Sequence, residues 1–220
     1  MGKRRTRKLS KWEVVSLVLV VIAFIGWQGG SRLYMEHQAT SAEEFKESQR
    51  QTFEPGETMV LDSAADEAER EGQEHAYGAG FSWHGTLEAT VLDATLYPSY
   101  REAGIDEGSL ILPPMGDAVG YLECNIRIRN VDATSTYEAG RPDRFLFFIF
   151  LGADMAYFSG TPAGADATSA YAFDLAQGQE AVYKVGYHVY GSESVDRLKV
   201  GATGKYTARI DVVDKTGEVS

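Results

Sequence analysis

Residues 119–130, VGYLECNIRIRN, alternate strictly between two kinds of side chain. Leu122, Cys124, Ile126 and Ile128 fall on one side, and Tyr121, Glu123, Asn125, Arg127 and Arg129 on the other. A period of two over this length fits a strand with one buried and one wet face, and it fits no helix. The pattern recurs in residues 181–190, with Tyr183, Val185, Tyr187 and Val189 opposite Lys184, Gly186 and His188. It recurs again near the C-terminus, where Tyr206, Ala208, Ile210 and Val212 oppose Arg209 and Asp211. Residues 86–96 alternate at Leu87, Ala89 and Val91 and then slip phase around Asp93, the mark of a bulge.

The segments between fill in an all-β chain. Residues 57–62 read as a short first strand. Residues 144–151, RFLFFIFL, are apolar on both faces and are expected to form a central strand, with residues 155–159 pairing back on it as a hairpin. Residues 197–202 and 205–214 are expected to pair across Thr203-Gly204. Seven or eight strands punctuated by Gly, Pro, Asp and Asn predict an antiparallel β-sandwich. Residues 63–75, SAADEAEREGQEH, read as a short acidic helix with Ser63 as N-cap and Asp66 at the capping-box position. Its apolar residues are alanines, so it is expected to bury little.

Three long loops interrupt this pattern, at residues 98–118, 131–143 and 160–172. The first is the most informative as a partner-binding candidate. Tyr97 and Tyr100 stand at its start, and Leu110, Ile111 and Leu112 run consecutively before Pro113-Pro114. Three adjacent apolar residues in a loop either pack back on the domain or present a sticky patch. Arg127, Arg129, Arg144 and Arg209 occupy strand positions expected to face solvent. If their strands adjoin, they form a basic stripe suited to an acidic partner; otherwise they pair with acids such as Glu123 and Asp211.

Ahead of all this lies an uncharged run, residues 14–31, bounded by Glu13 and Arg32. At about 1.5 Å per residue it spans roughly 27 Å as a helix, close to the ~30 Å hydrocarbon thickness of a bilayer. Trp12 and Trp27 bracket it, and Lys3, Arg4, Arg5, Arg7, Lys8 and Lys11 precede it. A basic cluster of this kind stays cytoplasmic, which predicts an N-in, C-out signal anchor. A cleaved signal peptide, cut near Gly29-Gly30-Ser31, is the competing expectation. Either route exports residues 32–220. The expected organisation is a basic cytoplasmic tail (1–13), a transmembrane helix (14–31), a polar juxtamembrane stalk (32–56) and a β ectodomain (57–220).

Charge narrows the partners. Six of the 21 basic residues precede the uncharged run, as does one of the 32 acids, so the remainder carries 15 bases against 31 acids. Such a surface repels phosphate backbones, and no nucleic-acid partner is expected. The one cysteine, Cys124, makes no internal disulfide and lies on an apolar strand face, where a small buried hydrophobe is expected. No phosphate-binding loop, dinucleotide fingerprint or G-x-S-x-G is present, and His37, His75, His84 and His188 lack metal-ligand spacing. The acids Asp62, Asp66, Glu67, Glu69 and Glu71 lack the ordered Ca²⁺-loop pattern. No catalytic residue, metal or cofactor is expected.

YLECNIRIRN, an Asn-initiated loop, the aromatic run RFLFFIF and the F-x-L-x-x-G-Q-E sequence before AVYKVGYHV share one order. In that order they resemble the small immunoglobulin-like domains of unknown function in Gram-positive cell-envelope proteins. The resemblance spans roughly residues 57–215. It implies an immunoglobulin-like sandwich behind a lipoprotein signal or a single anchor helix, and this chain has no lipid-accepting Cys. It carries over no catalytic residues. The expected function is a membrane-anchored, extracytoplasmic binding or accessory module whose partner is an envelope protein or a glycan. The alternatives are an envelope hydrolase using loop carboxylates and a structural spacer.

Overall fold

The computed structural model describes residues 48–71, 80–116, 118–151, 155–161, 169–191, 195–201 and 204–214. The chain divides into units Met1–Phe45 and Lys46–Ser220. The basic tail, the anchor run and most of the stalk lie outside the described residues. Among the described residues, no helix is long and apolar enough to cross a membrane.

The described part of the second unit is all-β apart from one helix and short 3-10 turns. Its elements are β1 (Gln51–Phe53), β2 (Thr58–Asp62), α1 (Ser63–Arg70), β3 (Trp83–His84), β4 (Thr86–Tyr97), β5 (Ala118–Asn130), β6 (Thr134–Ser135), β7 (Arg144–Leu146), β8 (Ile149–Phe150), β9 (Met155–Phe158), β10 (Ala172–Asp174), β11 (Glu180–Tyr190), β12 (Arg197–Val200), β13 (Tyr206–Arg209) and β14 (Val212–Asp214). The main sheet runs β14-β4-β5-β11-β9, with β2 also on β4; a second runs β1-β13-β12-β8. Two short pairs, β7 with β10 and β3 with β6, complete the set.

The alternation read from residues 119–130 decides the core. Leu122, Cys124, Ile126 and Ile128 are wholly buried. They share one cluster with Ile149, Leu198, Val200, Tyr206 and Ala208 of the second sheet. The Tyr187 hydroxyl donates to the Ile149 carbonyl at 3.0 Å, tying the two sheets across that core. The bulge expected at Asp93 is present. The β4–β5 register shifts between Val91 and Asp93, leaving Leu92 exposed.

Several expectations are corrected. The RFLFFIFL run is not one central strand. It breaks into β7 and β8, which pair with β10 and β12 in different sheets. Between them Phe147 turns its amide to Tyr171 O at 2.7 Å, and both Phe147 and Phe148 are buried among aromatic rings. The run is apolar on both sides because the chain crosses the core there. Strand β9 pairs with β11 rather than folding back on that run.

The sheets are also not purely antiparallel. Strand β1 runs parallel to β13, and β14 parallel to β4. The chain passes from β13 in one sheet to β14 in the other without reversing. Residues 51–53, expected in the stalk, are sheet residues, with Gln51 N donating to Lys205 O at 2.8 Å.

The acidic helix is shorter than expected, ending at Arg70. Its N-cap is Asp62, whose carboxylate accepts from the amides of Ala64 and Ala65; Ser63 instead accepts from Gly85 N. Nor does the helix bury only alanine. Asp66 is almost fully covered, and Glu69 forms an ion pair with the buried Lys205.

Ile128→Ala is expected to cost about 2–5 kcal/mol in urea unfolding, the range for emptying a packed aliphatic site. Arg127→Ala on the same strand should stay within about 0.5 kcal/mol, as an outward-facing substitution does. Equal losses would contradict the assignment of faces.

Candidate functional site

The outer face of the main sheet is divided. One end is roofed by residues 98–116, and the other is open. The roof holds the loop residues expected to bind a partner. Tyr100, Tyr121 and Ala156 form a second small core, with Tyr97, Leu110 and Tyr157 packed against it. Ile111, half-buried, packs against the main core and donates its amide to Ala156 O at 2.8 Å. Leu112 is half-buried, and its carbonyl accepts from His188 Nε2 at 3.0 Å, so that nitrogen carries the proton. The loop packs back on the domain.

Beneath this roof lie polar groups that strand parity assigns to water. Tyr121 is wholly buried and Glu123 nearly so. Here the expected wet face of β5 is corrected, because the roof and β9 cover it. Glu123 lies opposite Gly186 on β11 and accepts an ion pair from Lys184 at 3.0 Å. The Tyr121 ring lies over Gly186, where a Cβ would overlap its hydroxyl. The Tyr121 hydroxyl and Glu123 Oε2 are buried without a hydrogen-bond partner. Burial, together with the negative charge of Glu123, pushes the Tyr121 phenol well above its ordinary value. The hydrogen bond that Lys184 donates to Glu123 raises its ammonium above the ordinary value. His188 packs edge-on between Tyr100 and Tyr121, with centroids 6.3 and 6.1 Å away. The arrangement places an acid, a phenol and an imidazole under one loop, the imidazole hydrogen-bonded to backbone.

The four arginines do not form one stripe. Arg127 and Arg129 share the open face of β5, but Arg144 and Arg209 belong to other sheets. Arg144 is buried and lies 2.9 Å from Glu138 and 3.5 Å from Asp174. Arg209 lies 3.6 Å from Glu54. Arg129 reaches Glu88 at 3.3 Å, and Arg127 donates to Thr90 Oγ1 at 3.3 Å. The acids in and beside α1 scatter in the same way: Asp62 caps the helix, Asp66 is buried and Glu69 pairs with Lys205. Burial raises the Asp66 carboxyl, against the opposing pull of Arg70 and Lys205. Burial likewise pushes the Cys124 thiol far above its ordinary value. Among the described residues no group of three His, Cys, Asp or Glu is placed to hold a metal ion. His84 is exposed on β3, while His37 and His75 lie outside the described residues.

Sequence reasoning offered Glu123 an arginine partner on a wet face; it missed the burial of Glu123, its pairing with Lys184, and the buried, paired Lys205. The usable signal for Glu123 was the apolar triplet in the preceding loop, which needs somewhere to pack. Lys205 carried no signal. No protein family, no curated protein and no solved structure matches this chain.

Gly186→Ala should lower stability by about 1–3 kcal/mol through overpacking against Tyr121. Tyr121→Phe should leave stability unchanged or raise it, because it deletes a buried hydroxyl that has no partner. A loss above ~1 kcal/mol would reveal a hydrogen bond to that hydroxyl. Ile111→Asp should lower the melting temperature by several degrees, since it drives a charge into a packed site. An unchanged melt would place the loop off the core.

Proposed function

We propose that this chain is a membrane-anchored, extracytoplasmic binding module of the cell envelope, built as an immunoglobulin-like sandwich and free of catalysis of its own. The basic cluster, the 18 uncharged residues 14–31 and the acidic β unit stand in the order that a signal anchor and an exported domain require. Support for the sandwich is the single core shared by the two larger sheets. The partner is an envelope protein or a glycan.

The observation that carries the binding reading is the open end of the main sheet's outer face. A shallow groove of about 440 Å³ there combines Arg127 and Arg129 with Glu88, Glu180 and the exposed Val60. Exposed β-branched side chains among charges of both signs suit recognition of another macromolecule.

A reporter active only outside the cytoplasm, fused after Ser220, should be active and sediment with membranes. Activity confined to the soluble extracellular fraction would refute the anchor. An inactive reporter would refute export.

A further inference from the structure

Helix α1 carries Ser63, Asp66, Glu67 and Arg70 at helical spacing, so they share one face. Its first turn is tied to the residue after β3 by two reciprocal hydrogen bonds. Ser63 N donates to Gly85 O at 3.1 Å, and Gly85 N donates to Ser63 Oγ at 2.9 Å. Asp66, Glu67 and Arg70, together with Gly80, Phe81 and Trp83, line a cavity of about 180 Å³ that opens to the surface.

Two of these residues carry polar atoms with nothing to bond. Asp66 is 1% exposed and Trp83 2%. Asp66 Oδ1 and Trp83 Nε1 are buried without a hydrogen-bond partner. One is a carboxylate acceptor and the other an indole donor. Apolar side chains in their places would avoid the penalty of burying them unpaired. Trp83 is not free to turn towards a partner. Its ring stacks on Phe81 at 4.4 Å and packs on Phe148 at 5.1 Å. Gly80 matters for what it lacks. A Cβ there would lie 2.7 Å from Arg70 Nη1 and 3.8 Å from Asp66 Oδ2, so groups of opposite charge border the space its side chain would fill.

These features define an occupant. It donates to Asp66 and accepts from Trp83 Nε1. Asp66 and the exposed Glu67 favour a cationic donor, and Arg70 favours an anionic acceptor. Burial disfavours the Asp66 carboxylate, and a nearby cation counters that. A cavity of ~150 Å³ holds a ring of about six carbons, so the occupant here has roughly six or seven non-hydrogen atoms. An ammonium and a carboxylate within that size describe a small amino acid. We propose that this cavity binds a small free α-amino acid as its zwitterion, with the ammonium on Asp66 and the carboxylate on Trp83 Nε1 beside Arg70. Arg70, whose guanidinium stands near the Asp66 carboxyl at Gly80, is the flexible group that turns to admit it. The site shares no residue with the open groove of the main sheet, and it does not depend on the membrane anchor.

The test is isothermal titration of the full-length chain in detergent, with L-alanine as the probe. L-Alanine should bind with saturable heat. Ethylamine and propionate, each carrying one of its two charges, should bind ~10-fold or more weakly. Asp66→Asn keeps the shape and removes the anion, and Trp83→Phe deletes the indole N–H; each should weaken L-alanine ~10-fold or more. Gly80→Ala should weaken it ~5-fold or more by displacing Arg70. That variant pushes only on the end of a flexible side chain, so its melt should match the wild type. It therefore decides the matter if either buried variant fails to fold. Three results overturn the proposal: no heat with L-alanine, ethylamine or propionate binding as tightly as L-alanine, or folded variants binding as tightly as the wild type. In the first case water alone bridges the two orphaned atoms.

Discussion

The antiparallel ladder between β5 and β11 is the constraint on which the rest depends. It pairs Ala118 to Arg129 with Glu180 to Tyr190 with a single irregularity, near Val189. One side of the ladder supplies the wall of the main core. The other side is shared between the roof of residues 98–116 and the open groove. A slip by one residue would drive Arg127 and Arg129 into the core and turn Ile126 and Ile128 outward. The register is therefore held by the side chains of both faces.

Much of this was legible because alternation is a local property. Residues 119–130, 181–190 and 206–212 show their buried faces without knowledge of their neighbours, and the slip at Asp93 announces its bulge. What a strand pairs with is not local. RFLFFIFL reports burial on both sides, but a central strand and a chain crossing between sheets read identically. The same limit applies to the candidate site. Tyr97, Tyr100 and Leu110–Ile111–Leu112 were recognisable as one loop, yet Glu123 beneath them reads as a wet residue by parity. The four arginines show the converse. Their strand positions were visible, while the adjacency needed for a stripe depends on strand order, which no single segment encodes.

Charge is arranged economically for so acidic a domain. The scarce cations are largely held by internal carboxylates: Arg129 by Glu88, Lys184 by Glu123, Lys205 by Glu69, Arg209 by Glu54, and Arg141 with Arg144 around Asp174. Exposed pairs of this kind contribute little stability individually. They do fix where positive charge is withheld from solvent.

The parallel pairing of β1 with β13 joins residues about as far apart in sequence as the described unit allows, Gln51 with Tyr206 and Phe53 with Ala208. Contacts of such separation must close a long loop before they repay it, which makes them slow and late. During synthesis, residues 51–53 emerge early and wait unpaired until the C-terminal end of the chain is made. That edge of the second sheet is thus completed late, and it rests on segments near both ends of the described unit at once. A chain truncated before residue 205 would keep the β4–β5–β11 ladder but leave β12 without its central neighbour and β1 without any. The chain must be made through β13 before β1 finds its partner, so this pairing forms only when nearly the whole described unit is present.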